Sequence, residues 1–112
     1  MSSITLVKLF EPAQLTGSVA TYYTVAAPYT VLRDFTIRVS NTTGGAVTVD
    51  VHAVPSSGSA SDTNAVVKAY SIPANDYRDI DMPTMKVGDF LQAKASAGTS
   101  ISIHAISGVL FS

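Results

Sequence analysis

Asp34-Phe35-Thr36-Ile37-Arg38-Val39-Ser40, followed by Asn41-Thr42-Thr43-Gly44-Gly45 and then by Val47-Thr48-Val49-Asp50-Val51-His52-Ala53, decides the fold class of this chain. In both flanking stretches apolar residues take every second place. Successive side chains of a strand point to opposite faces, so a period of two predicts two strands, each with one buried and one polar face. The glycines and Asn41 between them tolerate positive φ and predict a tight hairpin.

The same signature extends outward in both directions. Strands are predicted over residues 4–10 and 19–26, the second with Tyr22 and Tyr23 on opposite faces. A short one over 69–72 is stopped by Pro73, which cannot donate to a ladder. Further strands are predicted over 77–82, 90–96 and 101–111, with a turn at Gly88-Asp89 and a second hairpin at Ala97-Gly98-Thr99-Ser100. Helical periodicity is absent, and the nearest candidate is residues 62–70, where Asp62 or Asn64 could cap a single turn. About eight short strands with turns at this spacing predict an all-β fold, an antiparallel β-sandwich of jelly-roll-like form. With 112 residues the chain is expected to be one domain over 1–112. Within it, residues 1–12 are either an arm that adds a strand to a neighbour or, the preferred reading, the first strand of the chain's own sandwich.

Hydrophobic residues make up 46% and charged residues 13%, against a usual charged share of about 25%. A surface so poor in charge repels neighbours weakly and suits permanent contact with other subunits. Seven Lys and Arg against eight Asp and Glu give a net charge of −1. Lys8, Arg33, Arg38, Lys68, Arg78, Lys86 and Lys94 stand singly, most with an acidic residue nearby, which argues against nucleic acid as the partner. No cysteine is present, so disulfides, thiolate chemistry and cysteine-ligated zinc are excluded. The first residues lack the pattern of a signal peptide, and no apolar run approaches the roughly 18 residues that would cross a bilayer. Synthesis in a cytoplasm, solubility until assembly and no membrane partner are therefore expected.

Reactive constellations are sparse. A serine nucleophile needs an oriented base, but His52 and His104, the only histidines, each sit inside an alternating strand as ordinary polar-face residues. Glu11 is the only glutamate, and nothing singles out a catalytic pair among the seven aspartates. The densest acidic run, Asn75-Asp76-Tyr77-Arg78-Asp79-Ile80-Asp81, puts Asp79 and Asp81 on one strand face. It matches no calcium-loop spacing, and Arg78 is a nearby counter-charge, so a solvated face or subunit salt bridge is expected. Tyr22, Tyr23, Tyr29, Tyr70 and Tyr77 could form a sugar platform, but without tryptophan core or interface contacts are the better reading. No catalytic residue, cofactor or metal is expected, and the chain is read as not an enzyme. One segment breaks the strand pattern: Pro55-Ser56-Ser57-Gly58-Ser59-Ala60-Ser61-Asp62-Thr63-Asn64, either a contact loop on the outside of an assembly or a solvated connector.

Several stretches taken in order bear a family resemblance: Ala20-Thr21-Tyr22-Tyr23-Thr24-Val25; Phe35 to Thr43 followed by Ala46-Val47-Thr48-Val49; His52-Ala53-Val54-Pro55; Ser61-Asp62-Thr63-Asn64; Lys68 to Asp76; and Val87 to Ala93. Together these resemble short virion structural proteins of tailed bacteriophages, including those of cyanobacterial phages, over about residues 20–110. The motifs are strand and turn signatures and carry no catalytic residues. The resemblance implies a virion β-sandwich, foremost a head decoration or cement protein that stabilises the capsid by oligomeric surface contacts. Its partners would be itself, as a trimer, and the major capsid protein or another virion protein. Its location would be the virion, after synthesis in the host bacterial cytoplasm. A tail-fibre or spike module binding host-surface carbohydrate, or a neck or tail component, is the alternative. Interface residues are expected in the N-terminal segment, Ile4, Leu6, Leu9 and Phe10, and in the long loop, Ser57, Ser59, Asp62 and Asn64.

Overall fold

The computed structural model describes the backbone of Ile4–Leu6 and all of residues 8–112. The described residues form ten strand segments and one 3-10 turn. These are β1 (Ile4–Leu6), β2 (Ala13–Gln14), β3 (Ala20–Thr24), β4 (Val31–Asn41), β5 (Val47–Val54), the turn (Asp62–Asn64), β6 (Ala65–Ile72), β7 (Tyr77–Asp81), β8 (Met85–Lys86), β9 (Phe90–Ala95) and β10 (Ile101–Phe111).

Two antiparallel sheets result. The first has the order β1-β10-β4-β7, with β2 also on β10 and β8 also on β4; the second has the order β3-β9-β5-β6. β1 with β2, and β7 with β8, are interrupted strands on shared neighbours, so the architecture is eight strands in two sheets of four. The chain changes sheet at nearly every connection, and β5–β6 is the one pair of consecutive strands from different positions that hydrogen-bonds within a sheet. This is a jelly-roll sandwich, as the alternating pattern implies.

Both expected hairpins are corrected. β4 and β5 lie in opposite sheets, as do β9 and β10, so Asn41–Gly45 and Ala97–Ser100 are arches across the sandwich. Gly44 and Gly45 do not take positive φ; Thr99 does, at 59°. Asn41 builds the first arch. Its Nδ2 donates to the carbonyls of Gly45 (2.8 Å) and Ile72 (3.0 Å), and its Oδ1 accepts from the Thr43 N–H (2.9 Å). Asn41 is buried, and these bonds satisfy it where a hairpin would have used ladder bonds.

The inner faces carry Phe35, Ile37 and Val39 of β4, Val49 and Val51 of β5, Leu91 of β9, and Ile101 and Ile103 of β10, each at most 1% exposed. Each such burial stabilises by about 1.5–3 kcal/mol. Leu15 and Val25, flanking β3, close the two ends through backbone bonds Leu15 N→Ile101 O (2.8 Å) and Val25 N→Asp89 O (3.0 Å). Phe10, Tyr23 and Phe35 form a ring cluster with centroids 6.2–6.5 Å apart. A bulge between Thr21 and Tyr23 lets Tyr22 and Tyr23 both pack against the core instead of facing opposite ways. Among the described residues the only helical piece is the three-residue turn, preceded by Ser61 at its N-cap, and β6 begins at Ala65 rather than Ala69.

Sheet edges are blunted. Arg78, on edge strand β7, is half-buried and bonds Asp76 (2.8 Å) and the Tyr77 carbonyl (2.7 Å). On edge strand β6, Ala69 sits at φ 51° beside a register shift and donates its N–H to Asp50 (2.7 Å). Charges and bulges of this kind discourage unspecific strand pairing.

Candidate subunit-contact surfaces

The long loop is folded against the sheet it leaves. His52 is 6% exposed because residues 59–64 lie over it. Its Nδ1 stands 3.1 Å from the Ser61 carbonyl and 2.9 Å from Asn64 Oδ1. Both partners are acceptors, so Nδ1 carries the hydrogen and donates. Asn64 Oδ1 also accepts the Ser61 N–H (3.1 Å), and Asn64 Nδ2 donates to the Ser59 carbonyl (2.8 Å). Asp89 pins the start of the loop, accepting the N–H groups of Ser56 (3.1 Å) and Lys86 (3.0 Å) with its two oxygens.

The eight expected contact residues are therefore divided. Ser57, Ser59 and Asp62 lie exposed on this loop, whereas Asn64 is half-buried and turned to His52. Asp62 pairs with Lys68, whose hydrogen bond holds its carboxyl below the usual range. Leu9 and Phe10 pack against the core of their own chain. The backbone of Ile4 and Leu6 pairs with β10, and their side chains lie outside the described residues. The two groups attach to different sheets.

The outer face of the first sheet is an ordered polar surface. Register sets His104, Arg38 and Asp79 in one row and Ser102, Ser40 and Tyr77 in the next. Arg38 donates to both oxygens of Asp79 (2.7 and 3.0 Å) and lies 4.1 Å above the Tyr77 ring. This fork holds the Asp79 carboxyl below the usual range. Arg78, the counter-charge expected from the sequence, serves Asp76 of this run. The acidic run's main cation comes from β4, 41 positions away in sequence, and only sheet register reveals it. Thr36 donates to Asp81 on the same face (2.9 Å).

Most charges among the described residues are cancelled locally. Lys8–Glu11, Arg38–Asp79, Lys68–Asp62, Arg78–Asp76 and Lys94–Asp50 are ion pairs, and Arg33 lies 5.8 Å over the Phe111 ring. Among the described residues no three of His, Asp and Glu gather to hold a metal ion, and no buried side-chain nitrogen or oxygen lacks a partner. The tyrosines form no shared platform: Tyr22, Tyr23, Tyr29 and Tyr70 pack against the core, and exposed Tyr77 lies under Arg38.

No protein-family model and no curated protein matches the chain. Solved structures do. A chain of the infectious bursal disease virus T13 viral particle superposes with a TM-score of 0.58 at 12% identity over 98% of this chain. A chain of the Gx strain of that virus gives 0.55 at 14% identity over 99%. The likeness is one of fold. This chain spans about a third of each viral chain, 30% and 33%. A Bacillus endospore appendage, of a family of disulfide-linked pili, gives 0.52 at 12% identity and is covered over 88% of its own length.

Proposed function

We propose that the chain is a non-enzymatic structural subunit of a virus particle, a head decoration or cement protein of the tailed-phage kind. It works as a homo-oligomer, a trimer, laid on the major capsid protein. The observation that carries this reading is the finish of the surface: a jelly roll most of whose charges are paired locally and whose outer sheet face is polar. Covering such a face buries pairs that are already hydrogen-bonded, which costs far less than burying lone ions. The jelly-roll likeness to viral-particle chains is consistent with the reading. The disulfide linkage of the pilus relative is closed to a chain without cysteine.

The test is light scattering of the purified protein together with sedimentation on expanded capsids. The expected result is a stable oligomer that co-sediments and raises the temperature of capsid disruption by several degrees. A monomer that ignores capsids but binds host cells would replace this reading with the recognition-module alternative.

A further inference from the structure

We propose that the outer face of the first sheet is a contact between two copies of this chain, packed face to face about a two-fold axis that crosses β4 at Arg33-Asp34. The proposal rests on the shell-subunit reading and specifies one of the contacts between its copies. Because it joins copies in pairs, it lies between trimers and not within one.

The charges that the fold leaves open gather on this face. Arg33, Asp34, Asp81, Lys86 and Asp89 make no ion pair with another described residue. Asp89 spends its two oxygens on the backbone N–H groups of Ser56 and Lys86. The rest share one surface. Arg33 and Asp34 are exposed in succession between buried Leu32 and Phe35, at a slip in the β4–β10 ladder where Asp34 takes φ 53°. A bulge of this kind turns two neighbours to the same side. Exposed Lys86 of β8, next to buried Met85, pairs with Val31, and exposed Asp81 of β7, next to buried Ile80, pairs with Thr36. Both stand on the same flank of β4 with their side chains outward.

Their order along β4 makes the face self-complementary. Lys86 is level with Val31, Arg33 and Asp34 follow, and Asp81 is level with Thr36, so cations come first and carboxylates second. Val31 and Thr36 are roughly 15 Å apart along the strand, too far for Lys86 and Asp81 of one chain to meet. The midpoint falls between Arg33 and Asp34. A two-fold axis lying in the face and crossing the strands there reverses the strand direction and keeps each flank in place. It sets Lys86 of one copy opposite Asp81 of the other, and Arg33 opposite Asp34, each twice, as an isologous contact requires. Facing sheets stand about 10 Å apart, a gap that a lysine or arginine reaching toward an aspartate can bridge.

The apolar groups obey the same operation. Exposed Ile106, the extra residue of β10, lies just beyond Ser107, the partner of Thr36, and half-buried Phe111 of the same strand is level with Val31. The axis exchanges these two levels, so Ile106 of one copy arrives at the Phe111 row of the other. A partner of different sequence would need its own matching order of charge and apolar surface. A second copy already carries it.

Sedimentation velocity of the full-length protein at low salt reads the contact. Lys86→Glu alone and Asp81→Lys alone each set like charges face to face twice, and each should weaken pairing about tenfold or more. Mixed in equal amounts, the two variants restore both opposite-charge pairs and should pair as the wild type does, a recovery that a folding defect would not show. Lys86→Gln and Asp81→Asn, which only remove a charge at an exposed position, should weaken pairing by a smaller factor, as should added salt in the wild type. Variants that all pair as the wild type does, or a mixture no better than its components, overturn the contact. If the wild type is then still an oligomer that binds capsids, the shell-subunit reading stands without it. A wild type that is monomeric and ignores capsids overturns both.

Discussion

Replacing Asn64 by alanine separates a residue that builds the long loop from one that meets a partner. The side chain makes three hydrogen bonds, accepting from His52 Nδ1 (2.9 Å) and the Ser61 N–H (3.1 Å) and donating to the Ser59 carbonyl (2.8 Å). At about 1 kcal/mol net each, and with the residue only half-buried, their loss costs about 2–3 kcal/mol. That is a large part of a typical reserve of about 5–15 kcal/mol and corresponds to a fall in Tm of roughly 10 °C for a domain of this size. His52 would keep the Ser61 carbonyl as a partner, which limits the damage at the buried ring. Asn64→Asp retains the acceptor but sets a second carboxylate oxygen against the Ser59 carbonyl, so it should fall between wild type and Asn64→Ala. The controls are Ser57→Ala and Ser59→Ala, whose exposed side chains should change stability by less than about 0.5 kcal/mol. Urea unfolding followed by far-ultraviolet circular dichroism measures all four. If Asn64→Ala unfolds within about 0.5 kcal/mol of wild type, the loop is not held by this side chain, and its bonds to His52 and Ser61 are wrongly drawn.

Nitrogen-15 NMR of His52 should show the neutral ring protonated on Nδ1, and a proton on Nε2 alone would contradict the geometry. Gly88→Ala should cost about 2–4 kcal/mol in urea unfolding: φ is +94° and the new Cβ would lie 2.8 Å from Ser56 Cβ. An unchanged midpoint would show that this turn is not as drawn. Phe35→Ala should cost about 3–5 kcal/mol, since it empties the centre of the ring cluster; a loss below 1 kcal/mol would mean the core closes elsewhere. Asp62, Asp76 and Asp79 have lowered folded-state pKa values, first through side-chain hydrogen bonds to Lys68, Arg78 and Arg38. Their contribution is present above about pH 4 and lost as pH falls through the lowered values. Urea midpoints should therefore drop between pH 5 and pH 2.5, and a flat profile would refute it.

The fold class was readable because a period of two needs no knowledge of partners: Phe35, Ile37 and Val39 alternate with polar residues whichever strand lies beside them. Strand partnership was not readable. Asn41–Gly45 reads as a hairpin because Asn and Gly suit any tight reversal, yet an arch between sheets uses the same residues and the same alternation on either side. What distinguishes them is Asn41, whose amide reaches the Ile72 carbonyl, 31 positions away. Arg38–Asp79 was hidden for the same reason. His52 looked like a polar-face residue and would be one without the loop, because no local pattern announces that residues 59–64 return to cover it. Tyr22 and Tyr23 failed on a single bulge, which resets the alternation that the face assignment assumed.

The apolar side chains that remain outside bear on the kind of assembly. Among the described residues the large exposed ones are Val19, Tyr77, Val87 and Ile106, each 40–48% exposed. Val19 precedes β3 and Val87 precedes β9, and because these strands are antiparallel partners the two lie at opposite ends of the second sheet. Tyr77 is on edge strand β7, and Ile106 is the extra residue at a register shift in the middle of β10. A dimer held by one hydrophobic patch would gather such residues on one face, as stable interfaces concentrate their apolar centre. Here they are spread over both sheets and both ends. If the chain is the shell subunit proposed above, four separated anchors would serve contact in several directions, which a continuous shell requires and a pairwise binder does not. Val19→Asp, Val87→Asp and Ile106→Asp, made singly, should each leave the unfolding midpoint nearly unchanged while weakening assembly or capsid binding. If all three assembled and bound as wild type, contact in several directions would have lost its physical basis.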